Sequence, residues 1–471
     1  MTSLTLLGGA GTVTGSKFLL EHDGRRVLLG CGLFQGLKDL RVRNWAEFPI
    51  DPATLDAVVV THAHLDHSGY LPRLVRGGFE GSVHVTYDTG RLLAVVLPDS
   101  GRLLEEEARF ANRAGYSRHD PALALYTEDD AWRALDLLVH ADYDTVVHVA
   151  DGVDVVFRNA GHILGSAGLE VRLAHADGGT SVLRLSGDLG RGNHPLLVPP
   201  AALGAADWVL VESTYGDRAH DDSDDAVERL AQLVERTADR GGTVIIPAFA
   251  VDRTEVLLYH LRRLSDAGRL PAVPIHVDSP MALDALAVYR AAIADGAPDI
   301  RPELAGRVDL LDLPGLHEVR DVEGSKAIAH EPGPKIVIAG AGMASGGRVV
   351  HHLARCLPDP RHAVALVGFQ AAGTRGRSLL EGATSLKIHG QYVRVRAEVG
   401  DLTGFSVHAD AGELAAWLHT AERAPQGLFV VHGEPAAAEA LRARAERELD
   451  WIAVVPSHGE RLRLDGRSRP G

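Results

Sequence analysis

Residues 57–69 read Ala-Val-Val-Val-Thr-His-Ala-His-Leu-Asp-His-Ser-Gly, an apolar run that passes directly into three imidazoles and a carboxylate within six residues. An apolar run without alternation predicts a strand buried on both faces. A tight loop leaving its carboxyl end turns successive polar side chains inward, toward a common point. Crowding such groups costs desolvation energy unless something offsets it, and a bound metal does so. The spacing supplies two sets, His62 with His64 and Asp66 with His67, which suits two neighbouring ions better than one. Further ligands must then come from elsewhere, from other strand ends that converge on this loop as they do in α/β folds.

The rest of the chain carries an α/β pattern. β-Branched and apolar runs predict strands at 4–7, 27–29, 57–60, 82–86, 145–149, 153–158, 169–173 and 181–186, with helices over 89–114 and 127–138. From residue 208 a regular alternation begins: strands at 208–211, 243–247 and 275–277, with helices over 224–240, 253–264 and 281–293. That is the pattern of βαβ units and a parallel sheet. Further strands are expected at 335–339, 363–368 and 429–431, and the Pro-rich stretch 195–200 marks a connection. The expected division is 1–207, 208–400 and 401–471.

Three glycine-flanked places offer the missing ligands: Gly161-His162, Gly187-Asp188 and His432-Gly433, each at or just after an expected strand end. With the histidine loop they make a set of seven. Neither Gly8-Gly9-Ala10-Gly11 nor residues 340–347 have the spacing of a Walker or dinucleotide loop.

The formal charge, 48 − 63 = −15, argues against coating nucleic acid through net charge. Residues 341–400 nevertheless hold eight Lys/Arg against three acids, an excess of +5 that suits phosphate contacts along a single strand. Arg348, after Gly346-Gly347, is the expected substrate-phosphate contact. Two cysteines, Cys31 and Cys356, make no disulfide framework and point to a reducing, cytoplasmic setting. No leader pattern and no run of eighteen apolar residues is present, so a membrane-spanning or secreted chain is not expected.

Ordered motifs add a resemblance. GGAGTVTGS (8–16), CGLFQG (31–36), LPDS (97–100), SGDLGR (186–191), ESTYGDR (212–218), PAFAVDR (247–253), DSPMA (278–282), GMASGGRVVHHL (342–353), VGFQAAGTR (367–375), FSVHAD (405–410) and VHGE (431–434) accompany the histidine motif. Together they resemble, end to end, the β-CASP branch of metallo-β-lactamase-fold hydrolases that cleave RNA and DNA. The resemblance implies an αββα metallo-β-lactamase fold with an inserted parallel-sheet α/β β-CASP domain. It assigns His62, His64 and His162 to one zinc ion, Asp66, His67 and His432 to a second, and Asp188 to both. Asp66 also counts among the catalytic residues, beside His408 and Glu212.

In the reaction so implied, a metal-bridging hydroxide attacks the phosphodiester. His408, oriented by Glu212, acts as general acid for the departing ribose oxygen, and Ser406 contacts substrate. The implied activity is zinc-dependent cleavage within single-stranded RNA, leaving a 3′-hydroxyl. A DNA nuclease on the same scaffold stays open, since the motifs do not read the 2′-hydroxyl. So does a catalytically weak RNA-binding scaffold subunit, although the ligands are all kept. The resemblance also allows a homodimer. One departure stands out: relatives carry Asp just before the Cys-Gly of residues 31–32, where this chain has Gly30. Loss of that supporting carboxylate is expected to lower metal retention or turnover. Val407 and Asp252 stand where Ala and Gly are expected.

Overall fold

The computed structural model describes residues 2–115, 120–220 and 223–464. The chain clusters into two units, residues 1–219 with 408–471 and residues 220–407. In the first unit, leucine- and valine-rich runs build two seven-stranded sheets. One runs in the order Arg461–Arg463, Thr2–Leu6, Phe18–His22, Arg25–Leu29, Ala57–Val59, Ser82–Thr86 and Leu138–Ala141. The other runs Ala453–Val454, Gly427–Val431, Trp208–Glu212, Thr180–Leu185, Ala167–Ala174, Val153–Asn159 and Val146–Ala150. Their inner faces share one core, in which Leu4, Leu20 and Val59 cluster with Phe157, Leu169 and Leu183. Each strand presents alternate residues to that core.

Helices cover the outer faces. Tyr87–Ala114, started by the Thr86 hydroxyl accepting from Thr89 N and ended at Gly115, packs on Ser82–Thr86 and Leu138–Ala141. On the other side, Leu414, Trp417 and Leu441 of helices Ala411–Leu418 and Pro435–Leu449 pack against Val209, Val211 and Val430. This is the αββα layering. The helix expected over 127–138 starts at a Thr127–Asp130 capping box but ends at Leu135, because Leu138–Ala141 pairs as an edge strand with Ser82–Thr86.

The expected boundary at 207/208 is displaced. Trp208–Glu212 pairs in parallel with Thr180–Leu185 and Gly427–Val431, so it belongs to the first unit, which extends to Ala219. A strand buried on both faces carries the same apolar run in either sheet, and only its partners decide which one it joins. The second unit holds a six-stranded, wholly parallel sheet. Its order is Leu316–Glu318, Ile275–Val277, Lys335–Ala339, Thr243–Pro247, Ala363–Leu366 and Glu398–Asp401. Ile245, Val337 and Leu366 pack against Val349 and Leu353 of helix Val349–Cys356. Among the described residues no helix is long and apolar enough to cross a membrane.

Candidate metal centre

Backbone contacts aim the ligand loop. Thr61 O accepts from Ala167 N at 2.8 Å, and the following turn leads into the short helix Leu65–Ser68. Asp66 O accepts from Ser16 N at 2.9 Å and His67 O from Cys31 N at 2.7 Å. Gly32 is required beside this loop, since a Cβ there would lie 1.6 Å from Asp66 O. His162 sits in a turn braced by Ser166, whose Oγ accepts from His162 N and Ile163 N at 3.0 and 3.2 Å. His432 follows strand Gly427–Val431 at φ +46, a conformation held by its N–H bonding Gly9 O at 2.6 Å. A left-handed non-glycine residue costs about 1–3 kcal/mol and such strain gathers at functional sites.

The seven side chains come together as two groups. His62, His64, His162 and Asp188 form one, and Asp66, His67, Asp188 and His432 the other, with the donor atoms of each within 4.8 Å of one another. Asp188 divides its oxygens between them. Oδ2 lies 3.7 Å from His62 Nε2 and 3.8 Å from His162 Nε2, whereas Oδ1 lies 3.1 Å from His67 Nε2 and 3.6 Å from His432 Nε2. Among the described residues, His62 Nε2, His67 Nε2 and Asp188 Oδ1 are buried without a hydrogen bond. Buried nitrogen and oxygen atoms that face each other unbonded are what cation ligands look like, and this nitrogen–carboxylate set suits zinc.

Protonation states agree with that use at His62, His162, His432 and Asp188; at His67 burial would lower the imidazole, but Asp188 and then Asp66 outweigh it and leave it above its ordinary value. Burial holds the His62 and His162 imidazoles well below their ordinary range and His432 down at about 3, leaving each ring neutral with one bare nitrogen to offer a metal. Burial would raise the Asp188 carboxyl, but the surrounding imidazoles, His432 and His67 foremost, hold it well below the usual range. Burial, which His67 only partly offsets, pushes Asp66 up to about 6.

Beside the two groups lies a second pair. Glu212 ends its strand with its carboxylate accepting from Leu189 N at 2.8 Å and Thr214 N at 3.1 Å, and its own N–H donates to Ser186 Oγ at 2.9 Å. His408 Nδ1 lies 3.4 Å from Glu212 Oε1 and 3.9 Å from Asp188 Oδ2. A β-bridge to Gly190 and the bond from Ala409 N to Leu189 O fix its backbone. Burial alone would lower the His408 pKa. The hydrogen bond and charge of Glu212 outweigh it and leave the imidazole above its ordinary value.

Two expected site residues belong to the second unit instead. Ser406 is buried, and among the described residues its Oγ has no hydrogen-bond partner. Arg348 does not present a free fork to phosphate. Its guanidinium donates to Asp278 Oδ1 at 2.7 Å, to Val319 O at 3.2 Å and to Arg320 O at 2.7 Å. Asp278, wholly buried, also accepts from Ser325 Oγ at 2.6 Å and bonds His352 Nε2 at 2.7 Å. Counting charge along a sequence cannot reveal that a cation is already paired.

Arg348→Ala is therefore expected to destabilise the protein by about 1–3 kcal/mol rather than to raise KM. Burial would raise the Asp278 carboxyl, but His352, Ser325 and Arg348 together hold it below its usual range. Its stabilising contribution is thus present above the unfolded pKa and lost as pH falls through the folded one. In the variant the acid loss begins at higher pH. Thermal melts across the acid range with parallel kinetics check this, and a raised KM with an unchanged melt would restore the phosphate role. Asp252, where Gly was expected, sits at φ +72 with Oδ1 accepting from Tyr289 OH at 2.7 Å, a bond that helps hold the strained backbone.

Sequence reading missed the residues that orient the imidazoles. Ser16 Oγ shares a 2.7 Å hydrogen bond with His432 Nδ1, and Thr61 Oγ1 a 3.1 Å one with His62 Nδ1. Their hydroxyl type and proximity to the motifs were the only signals. Gly30 lines a cavity of about 20 Å³ with Ser16, Thr61, His67, Asp188 and His432, room for one water-sized group. It sits at φ +73, and a Cβ there would come within 2.8 Å of Ser16 O. Gly30→Asp is thus expected to slow metal loss to a chelator by about tenfold while lowering the melting temperature by a few degrees through backbone strain. Unchanged metal retention and unchanged turnover together would refute a role for this position in the centre.

Known proteins share these features. Residues 10–237 match the model of the metallo-beta-lactamase superfamily, 254–379 that of the Beta-Casp domain, and 392–462 that of the Zn-dependent metallo-hydrolase RNA specificity domain. The chain is 38% identical over 427 residues to a Thermus thermophilus protein named a ribonuclease, covering 91% of this chain and 92% of that one. It is 30% identical over 477 residues to the transcription termination factor FttA of Methanocaldococcus jannaschii, covering 98% of this chain and 71% of that one. A crystal structure of an Enterococcus faecalis protein of unknown function aligns with 98% of this chain and 99% of its own, at a TM-score of 0.52 and 14% identity, a likeness of fold alone.

Proposed function

The chain belongs to the β-CASP family of metallo-β-lactamase-fold hydrolases, and we propose that this metal-dependent hydrolase cuts RNA internally within single-stranded stretches, using two zinc ions. One observation carries the reading: Asp188 offers a separate oxygen to each of two histidine-rich groups, and the His408–Glu212 pair lies alongside. The likeness to proteins named ribonuclease and transcription termination factor favours RNA over other phosphodiesters.

His62, His64 and His162 would hold one ion, Asp66, His67 and His432 the other, and Asp188 both. Zinc bound there lowers the pKa of water toward neutrality and neutralises charge developing on the phosphate. The chain's own part is positional and protic. Ser16 and Thr61 orient His432 and His62. With Nδ1 engaged by Glu212, His408 keeps Nε2 for proton delivery. A water oxygen bonds to phosphorus and gives up a proton as the bond from phosphorus to the ribose 3′ oxygen breaks; that oxygen takes a proton from His408 and leaves as a 3′-hydroxyl, while the phosphate stays on the 5′ end of the other fragment.

Purified protein with its zinc content measured should cleave an unstructured RNA labelled both internally and at its 5′ end, and chelation should stop it. Fragments released from the interior before the labelled 5′ end is lost would mark internal cleavage. Cleavage of the DNA of the same sequence at an equal or higher rate, or no cleavage of RNA by zinc-loaded protein, overturns the proposal.

A further inference from the structure

The arginines of the second unit are mostly neutralised. Arg236 and Arg240 pair with Glu398, Arg262 with Asp266, Arg361 with Asp359 and Arg377 with Glu381. The hairpin formed by Ser385–Ile388 and Gln391–Arg394 breaks this habit. Its register sets Lys387 opposite Tyr392 and Ser385 opposite Arg394, and residues directly opposite share a face. Leu386 and Ile388, on the other face, are buried in the core that includes Val349 and Leu353, with Val393 packed against it. The outer face is therefore Ser385, Lys387, Tyr392 and Arg394, with exposed Arg396 two residues further on.

Among the described residues, the side chains of Lys387, Arg394 and Arg396 make no hydrogen bond or ion pair. Tyr392 is 77% exposed, the most exposed large hydrophobic side chain described. Three unneutralised cations around a bare aromatic ring would be an odd solubilising surface for an acidic chain, yet they are the two elements of a single-strand platform. An aromatic face stacks any base, and flanking cations take the phosphates. The alternation suits the purpose as well, since outward residues repeat about every 6.6 Å along a strand.

We infer that the outer face of this hairpin, through Lys387, Tyr392 and Arg394, is a binding site for single-stranded RNA additional to the metal centre. It adds strand contacts to those of the metal centre and so raises affinity for long substrates over short ones. The inference rests on RNA being the substrate, as proposed above.

The test uses the full chain. Fluorescence anisotropy with labelled polyuridine, in a His408→Ala background to prevent turnover, is compared between the parent and a Lys387→Ala/Tyr392→Ala/Arg394→Ala variant. The variant should bind at least about tenfold more weakly. The slope of log affinity against log salt should shrink by about 1.4, roughly 0.7 for each phosphate that the two cations no longer neutralise. With His408 restored, the same variant should show a raised KM on polyuridine and an unchanged kcat/KM on a uridine trinucleotide. Lys387→Arg/Tyr392→Phe/Arg394→Lys should recover binding, which a merely misfolded hairpin would not explain. Polyuridine affinity and salt slope equal to the parent's overturn the inference and leave the face to an acidic protein surface. Failure of the unaltered protein to cleave RNA is a separate result and counts against the proposed function instead.

Discussion

Asp188→Asn is expected to empty both halves of the metal centre at once and to remove hydrolysis. The carboxylate is 1% exposed and faces His62 and His162 with one oxygen, His67 and His432 with the other. An amide of the same shape replaces one of those oxygens by an NH2 group, which directs protons at imidazole nitrogens that must stay bare, and it removes the charge that offsets a bound cation. Loss of a supporting contact to a metal ligand costs roughly 10–100-fold in affinity or activity, and loss of a ligand common to both sites should exceed that at each. His64→Ala, which belongs to one group only, should spare the other and leave about half of the metal. Elemental analysis of the two variants, with melting curves to show that both fold, separates these outcomes. Equal metal content in Asp188→Asn and the parent would mean that Asp188 is not common to two ions.

How much of this was legible beforehand depends on how local each signal is. The loop from His62 to His67 announces itself because its chemistry is contiguous. His162, Asp188 and His432 could be joined to it because each follows a strand beside a glycine, where α/β folds gather ligands. The unit to which Trp208–Glu212 belongs is not legible in its own residues, because pairing is a property of distant segments: its neighbours Thr180–Leu185 and Gly427–Val431 lie on either side of the insertion. Arg348 failed for a similar reason, its partner Asp278 being 70 residues away. Of the basic excess in 341–400, the side chains left without a hydrogen bond or ion pair among the described residues include Lys387, Arg394 and Arg396 of the hairpin segment, whereas Arg348 of the glycine loop is paired. Ser16 and Thr61 show the complementary limit, since a hydroxyl reveals its role only when the imidazole it orients is in view.

His408→Ala should lower hydrolysis of RNA by about 10²–10⁴-fold, the usual worth of a positioned acid, while leaving metal content intact. His408 belongs to neither ligand group, so loss of metal would reassign it as a ligand. An acid works only while protonated, so activity should decline as pH rises through the His408 pKa, which Glu212 lifts above the ordinary imidazole value against the effect of burial. Glu212→Gln removes the charge that raises it and should move the alkaline limb of kcat to lower pH. The same variant should cut less at neutral pH and recover part of the difference in acid. The leaving group gives the sharpest separation. A phosphodiester whose departing group is a nitrophenolate needs no proton, so His408→Ala should cleave it at close to the parent rate while remaining defective on RNA. A substrate-positioning role for His408 would slow both alike. Equal defects on the two substrates, with metal retained, would therefore remove the acid role and leave the proton for the ribose oxygen to another source.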